Sequence, residues 1–181
     1  NILVLTYWSY PDALIQTYTL PYLRIITQVN NNNVITLVTL EKSKDVFADA
    51  NNNVKQALAR DNINWKPFLY KPFGWRGLWM WLTAGLSLIR LIRRKKITVI
   101  HCFCTPPGAI GYLLSKITGC KLILDSYEPH AEAMVENGTW RKNGVAFNLL
   151  FALEKLQTRR ASTVIAATTG MFHYAQQKSG L

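Results

Sequence analysis

Arg93-Arg94-Lys95-Lys96-Ile97-Thr98-Val99-Ile100-His101-Cys102-Phe103-Cys104-Thr105-Pro106-Pro107-Gly108 is the stretch that decides the fold. A basic helix end passes directly into an apolar run, and the run stops at a Pro-Pro-Gly step. Ile97 to Phe103 reads as a strand. It is apolar almost throughout rather than alternating, as in strands covered on both faces. Proline is favoured at a helix start, where its missing N–H would have no partner anyway, so Pro106-Pro107-Gly108 opens a helix. That helix runs to about Thr118, and Gly119 supplies the left-handed residue that ends it. Cys102 and Cys104 point to one face of the strand and read as small buried apolar residues, not metal ligands. No His or Cys pair at zinc spacing accompanies them.

The same unit repeats outward in both directions. Upstream, Ile2-Leu3-Val4-Leu5 is a strand, Thr6 to Asp12 a loop, and Ala13 to Val29 a helix kinked at Pro21. Asn30 to Asn33 is a turn, and Val34 to Leu40 is a second strand. Lys42 to Asn62 holds helical pieces broken near Asn51-Asn52-Asn53, and Trp65 to Tyr70 is a weaker third strand. Arg76 to Lys96 is a long helix on which Leu78, Leu82, Leu86, Ile89 and Ile92 share one side. Downstream, Lys121 to Asp125 is the fifth strand, with helices at Pro129 to Glu136 and Asn143 to Arg160. Thr163 to Ala167 is the sixth strand, and a last helix starts near Gly170.

Strands that alternate with helices imply parallel pairing through right-handed crossovers. The fold class is therefore α/β, a doubly wound, Rossmann-like parallel sheet. Its ligands belong beyond the carboxyl ends of the strands. After the first strand comes Tyr7-Trp8-Ser9-Tyr10, an aromatic loop of the kind that offers π faces and hydroxyls to a sugar ring. After the fourth come Thr105 and Pro106, at a helix start whose free N–H groups favour anions or hydroxyls. After the fifth come Asp125, Ser126, Tyr127, Glu128 and His130, three ionisable side chains and two hydroxyls in six residues. Carboxylates there accept hydrogen bonds from hydroxyls or act as bases. His101 lies inside its strand and reads as a core residue. The first loop carries no Gly-x-Gly-x-x-Gly and the chain has no phosphate-loop lysine, which argues against a dinucleotide enzyme or a nucleoside triphosphatase.

Of the 181 residues, 49% are apolar and 17% charged, enough core for one α/β domain without disulfides or a structural metal. Three cysteines at no framework spacing argue against a disulfide-built secreted domain. The net charge of +11 favours acidic partners. Trp75, Trp79 and Trp81 beside the basic end of the long helix make an anionic membrane surface one such partner. The basic residues match no nucleic-acid-reading module. No basic leader precedes the first strand, and the longest apolar stretch falls short of the roughly 20 residues that span a bilayer. A chain that starts at Asn1 and stops at Gly180-Leu181 reads as a fragment, cytoplasmic and peripheral to the inner membrane face.

Three segments together resemble the N-terminal domain of GT-B-fold glycosyltransferases of the family 4 kind. They are the opening strand with its loop and helix, the run Leu88 to Cys102, and Lys121-Leu122-Ile123-Leu124-Asp125-Ser126-Tyr127-Glu128, where the family often has Asp-x-His-Asp. The resemblance spans nearly the whole chain, which would be a single N-terminal, acceptor-side domain over 1–181. It implies catalytic positions at Tyr127 and Glu128, which stand where relatives carry His and Asp. Substrate binding falls to Tyr7, Trp8, Ser9, Tyr10, Thr105, Pro106, Asp125, Ser126 and His130. It further implies metal-independent, retaining transfer from a nucleotide-sugar donor to a glycan or lipid-linked acceptor, in bacterial surface polysaccharide synthesis. The donor would be held by a C-terminal domain absent from this chain, so the 181 residues alone would be inactive and hold no cofactor. A stand-alone Rossmann-like binding module and a basic polyanion-binding or membrane-surface protein are the alternatives.

Overall fold

The computed structural model describes residues 1–30, 32–43, 53–71, 75–127 and 130–179, without the side chains of 75–78, 80–81, 126–127 and 178–179. Six strands form one sheet: β1 (Ile2–Leu5), β2 (Ile35–Glu41), β3 (Ile63–Leu69), β4 (Val99–Phe103), β5 (Lys121–Tyr127) and β6 (Thr163–Ala166), in the order β3-β2-β1-β4-β5-β6. β1 pairs β2 in parallel with Ile2 opposite Ile35, β2 pairs β3 with Ile35 opposite Ile63, and β5 pairs β6 with Ile123 opposite Thr163. The helices are α1 (Leu20–Val29), α2 (Asn53–Arg60), α3 (Trp75–Lys95), α4 (Thr105–Thr118), α5 (His130–Glu136), α6 (Val145–Arg160) and α7 (Thr169–Ser179). The strand–helix alternation is the α/β doubly wound architecture expected from the sequence. The chain divides into two compact units, Asn1–Ile100 and His101–Leu181.

In the first unit every residue of β2 is buried, as a strand flanked on both edges and covered on both faces must be. Leu3, Val4, Leu37, Ile63, Leu23 and Leu58 build the core around it, each contributing about 1.5–3 kcal/mol of transfer free energy. β3 begins at Ile63, two residues before the predicted start. Asn64, Lys66 and Pro67 dilute its apolar signal, and only an edge strand accommodates a proline and a lysine of this kind. Pro21 is the second residue of α1, directly behind a π-helical turn at Ile15–Thr19 in which the Leu20 N–H reaches Ile15 O. Proline cannot donate the next bond of a regular helix, and the one-residue widening stands where the sequence predicted a kink.

α3 differs from expectation in the face it buries. Ala84, Leu88 and Ile92 are inside, whereas Leu82 and Leu86 are 53% and 54% exposed and Trp79 is exposed beside them. Apolar residues occupy most of the circumference of this helix, so periodicity alone did not choose a face; packing did. Leu78 and the break near Asn51-Asn52-Asn53 lie outside the described side chains and residues, apart from Asn53, which opens α2.

In the second unit Cys102, Phe103, Leu114, Leu122, Leu124 and Ala131 form the core. Gly119 takes φ 76° and closes α4 through its N–H to Ser115 O at 2.9 Å, as predicted. Gly108 packs α4 against its neighbours so closely that a Cβ there would stand 1.9 Å from Gln157 Oε1 and 3.0 Å from Leu124 Cδ2. β5 runs two residues beyond its predicted end and takes Ser126 and Tyr127 into the strand. All three cysteines are buried and form no disulfide.

Candidate functional site

In the first unit the carboxyl ends of β1, β2 and β3 bring the aromatic loop together with a residue that the sequence did not single out. Glu41 is the last residue of β2 and is 0% exposed. Its carboxylate accepts hydrogen bonds from Ser9 Oγ, from the Tyr10 N–H (3.0 Å to Oε1) and from Thr39 Oγ1. Trp65 Nε1 donates in turn to Thr39 Oγ1 at 2.8 Å. Thr39 and Glu41 are two apart on a strand and therefore share a face, and Trp65 of β3 is opposite Leu37 on that same face. A buried carboxylate is costly unless its lone pairs are occupied, and three donors from two segments occupy these. The loop is thus tied down from beneath by a charge.

Further bonds fix its path. Leu40 N–H donates to Trp8 O at 3.1 Å, Thr6 Oγ1 to Val38 O at 2.9 Å, and Leu14 N–H to Asp12 Oδ1 at 2.9 Å. The Tyr10 ring lies on Trp65 with centroids 4.6 Å apart, and Tyr7 meets Tyr70 edge-on at 6.2 Å. Tyr7, Trp8, Ser9 and Tyr10 are all half-buried, so each keeps surface for a ligand while its backbone is held. Such a rigid platform of aromatic faces with hydroxyls at its rim can stack a ring and bond its polar edges.

The second unit holds the remaining predicted positions. Asp125 is 1% exposed, and its Oδ2 lies 2.9 Å from His101 Nε2, which is itself buried and stacked on Phe103 at 4.7 Å. The sequence predicts a ligand-facing Asp125 and a core His101; the structure turns the two toward each other, because a carboxylate at this depth needs a donor. The Asp125 carbonyl receives the Cys104 N–H at 2.8 Å, so the residue also holds the β4–α4 corner. Cys104 turns that corner at φ 64°. Thr105 is buried at the start of α4, and Pro106 is half-buried beside it. His130 opens α5, where the buried Glu154 accepts the neighbouring Ala131 N–H at 3.0 Å. The side chains of Ser126 and Tyr127, and Glu128 altogether, lie outside the described residues. Among the described residues no cluster of three His, Cys, Asp or Glu is arranged to hold a metal ion, and no helix is long and apolar enough to cross a membrane.

The solved structures similar to this chain share its fold. UDP-bound HepE of Anabaena aligns over 100% of this chain and 41% of its own length, at 14% identity and TM-score 0.57. MurG of Acinetobacter baumannii aligns over 94% and 42%, at 13% identity and TM-score 0.53. The Glycyrrhiza uralensis enzyme UGT73P12, complexed with glycyrrhetinic acid 3-O-monoglucuronide, aligns over 99% and 47%, at 10% identity and TM-score 0.59. The chain thus spans less than half the length of these structures. No curated protein matches it by sequence. The glycosyl transferase 4-like domain family matches residues 36–181. With its six-stranded Rossmann-like sheet of the GT-B half-domain kind, the chain belongs to the glycosyl transferase 4-like domain family.

Proposed function

We propose that this chain is the acceptor-binding half of a glycosyltransferase that moves a sugar from a nucleotide-sugar donor to a glycan or lipid-linked acceptor. The observation that carries the reading is the Tyr7–Tyr10 platform, held rigid at the carboxyl end of the sheet by Glu41. Trp8 and the two tyrosines pack on the acceptor ring, and Ser9 orients its hydroxyls. The donor and its diphosphate belong to a second lobe, so turnover requires the full-length protein. By resemblance, transfer retains anomeric configuration, with Tyr127 and Glu128 nearest the reacting carbon. Asp125 acts indirectly, by setting the β4–α4 corner through His101 and Cys104. Bacterial surface polysaccharide synthesis at the cytoplasmic membrane face suits the outward Trp79, Leu82 and Leu86 of α3 and the net charge of +11.

The test is to incubate the full-length protein with a panel of nucleotide sugars and lipid-diphosphate or oligosaccharide acceptors. The expected result is acceptor-dependent release of nucleoside diphosphate. Saturable sugar binding without turnover across the panel would favour a stand-alone binding module instead.

A further inference from the structure

On the first unit, a cavity of about 530 Å3 opens between β3 and the end of α3. Its lining is Lys66 from the strand and Ser87, Arg90, Leu91, Arg94 and Lys95 from the helix. Asn1 Nδ2 donates to Lys95 O, which places this end of α3 beside the start of β1. The groove therefore lies toward the amino ends of the strands, away from the aromatic loop.

Four of its six lining residues are cations and none is an acid. Among the described residues, none of the four has a carboxylate within ion-pair distance. A basic last turn is ordinary, because the helix dipole favours cations there. That explanation covers Arg94 and Lys95 but not Arg90, which is more than a turn from the end, and not Lys66 on another element. Arg90 and Arg94 are four residues apart, where like charges disfavour a helix, and α3 contains no Asp or Glu to offset them. Two arginines and two lysines lining one space of ligand size, with the Lys66 ammonium 5.3 Å over the Phe68 ring, supply the donor types that take up the oxygens of a phosphate.

We propose that the groove formed by Lys66, Arg90, Arg94 and Lys95 binds a phosphate-bearing anion, either a lipid headgroup or a free diphosphate. This site is separate from the acceptor platform, and its existence does not depend on the transferase reading.

The experiment uses the full-length protein and three forms: wild type, Lys66→Gln/Arg94→Gln, and the control Arg60→Gln/Lys121→Gln, which removes the same charge at exposed positions on α2 and β5. Inorganic pyrophosphate binding is measured by calorimetry, and binding to vesicles of phosphatidylglycerol and phosphatidylcholine by co-sedimentation. The groove variant is expected to weaken binding about tenfold or more, while the control stays within about twofold of wild type. Loss in both assays assigns the groove to phosphate itself; loss with vesicles alone assigns it to a lipid headgroup. Equal behaviour of the groove and control variants, with either probe binding or with neither, overturns the proposal. Should the double variant melt early, Arg94→Gln alone, at an exposed position, should still weaken binding about threefold, and wild-type affinity in that variant is the contrary result.

Discussion

Removing the Glu41 side chain should release the aromatic loop. In Glu41→Ala the Ser9 hydroxyl, the Tyr10 N–H and the Thr39 hydroxyl all lose their acceptor. Hydrogen bonds to a charged group contribute about 1.5–3 kcal/mol each, but the two hydroxyls can rotate and Ser9 and Tyr10 are half-buried, so water replaces part of the loss. The cost to the loop should be about 3–5 kcal/mol, the range for breaking a buried charged network. Glu41→Gln keeps one acceptor oxygen and presents an amide to a donor, so its cost should be about 1–3 kcal/mol. Ser9→Ala removes one donor, leaves the carboxylate two, and should cost about 1 kcal/mol. Amide hydrogen exchange of the segment spanning Thr6 to Gln16 reads these differences locally. A cost of 3 kcal/mol corresponds to roughly 100-fold faster exchange at Tyr10. The order Ala, then Gln, then Ser9→Ala in decreasing effect is expected. Exchange in Glu41→Ala within about threefold of wild type would refute the claim that this carboxylate anchors the loop.

Two further outcomes follow from the second unit. Gly108→Ala pushes a methyl against Gln157 Oε1 and Leu124 in a closed site, so it should lower unfolding stability by about 1–3 kcal/mol in a denaturant titration; an unchanged midpoint would mean the contact relaxes freely. Burial, with the neighbouring Cys104 adding to it, raises the Cys102 thiol far above its ordinary value of 9.0. The folded state thus holds the proton that the unfolded chain releases, and the associated stability is present below about pH 9.0 and falls as the pH rises beyond it. Wild type should lose melting temperature above that pH more steeply than Cys102→Ala, and parallel pH profiles would contradict the assignment.

The architecture was legible because its signals are local. β1 is where the run Ile2 to Leu5 puts it, β2 is displaced by a single residue, and Gly119 caps α4. A covered strand must be apolar and a left-handed cap favours glycine, so each mark is written in adjacent residues. What escaped depends on distant partners. Glu41 reads as an ordinary charge after a strand, since its donors Ser9 and Tyr10 are more than 30 residues upstream. The one hint is a glutamate closing a run of Ile, Leu, Val and Thr, where a strand buried to its last residue would submerge the side chain. Asp125 and His101 each stand out in the sequence, but their pairing across 24 residues needs the sheet order to be known. The buried face of α3 was hidden by too many apolar residues rather than too few.

Steady-state kinetics of Trp8→Ala in the full-length protein, with donor and acceptor varied separately, address the acceptor assignment most directly. The acceptor KM should rise about tenfold or more, the scale of a lost aromatic stacking contact, while the donor KM stays as in wild type. A raised donor KM with an unchanged acceptor KM would place the Tyr7–Tyr10 platform on the wrong substrate and contradict the account.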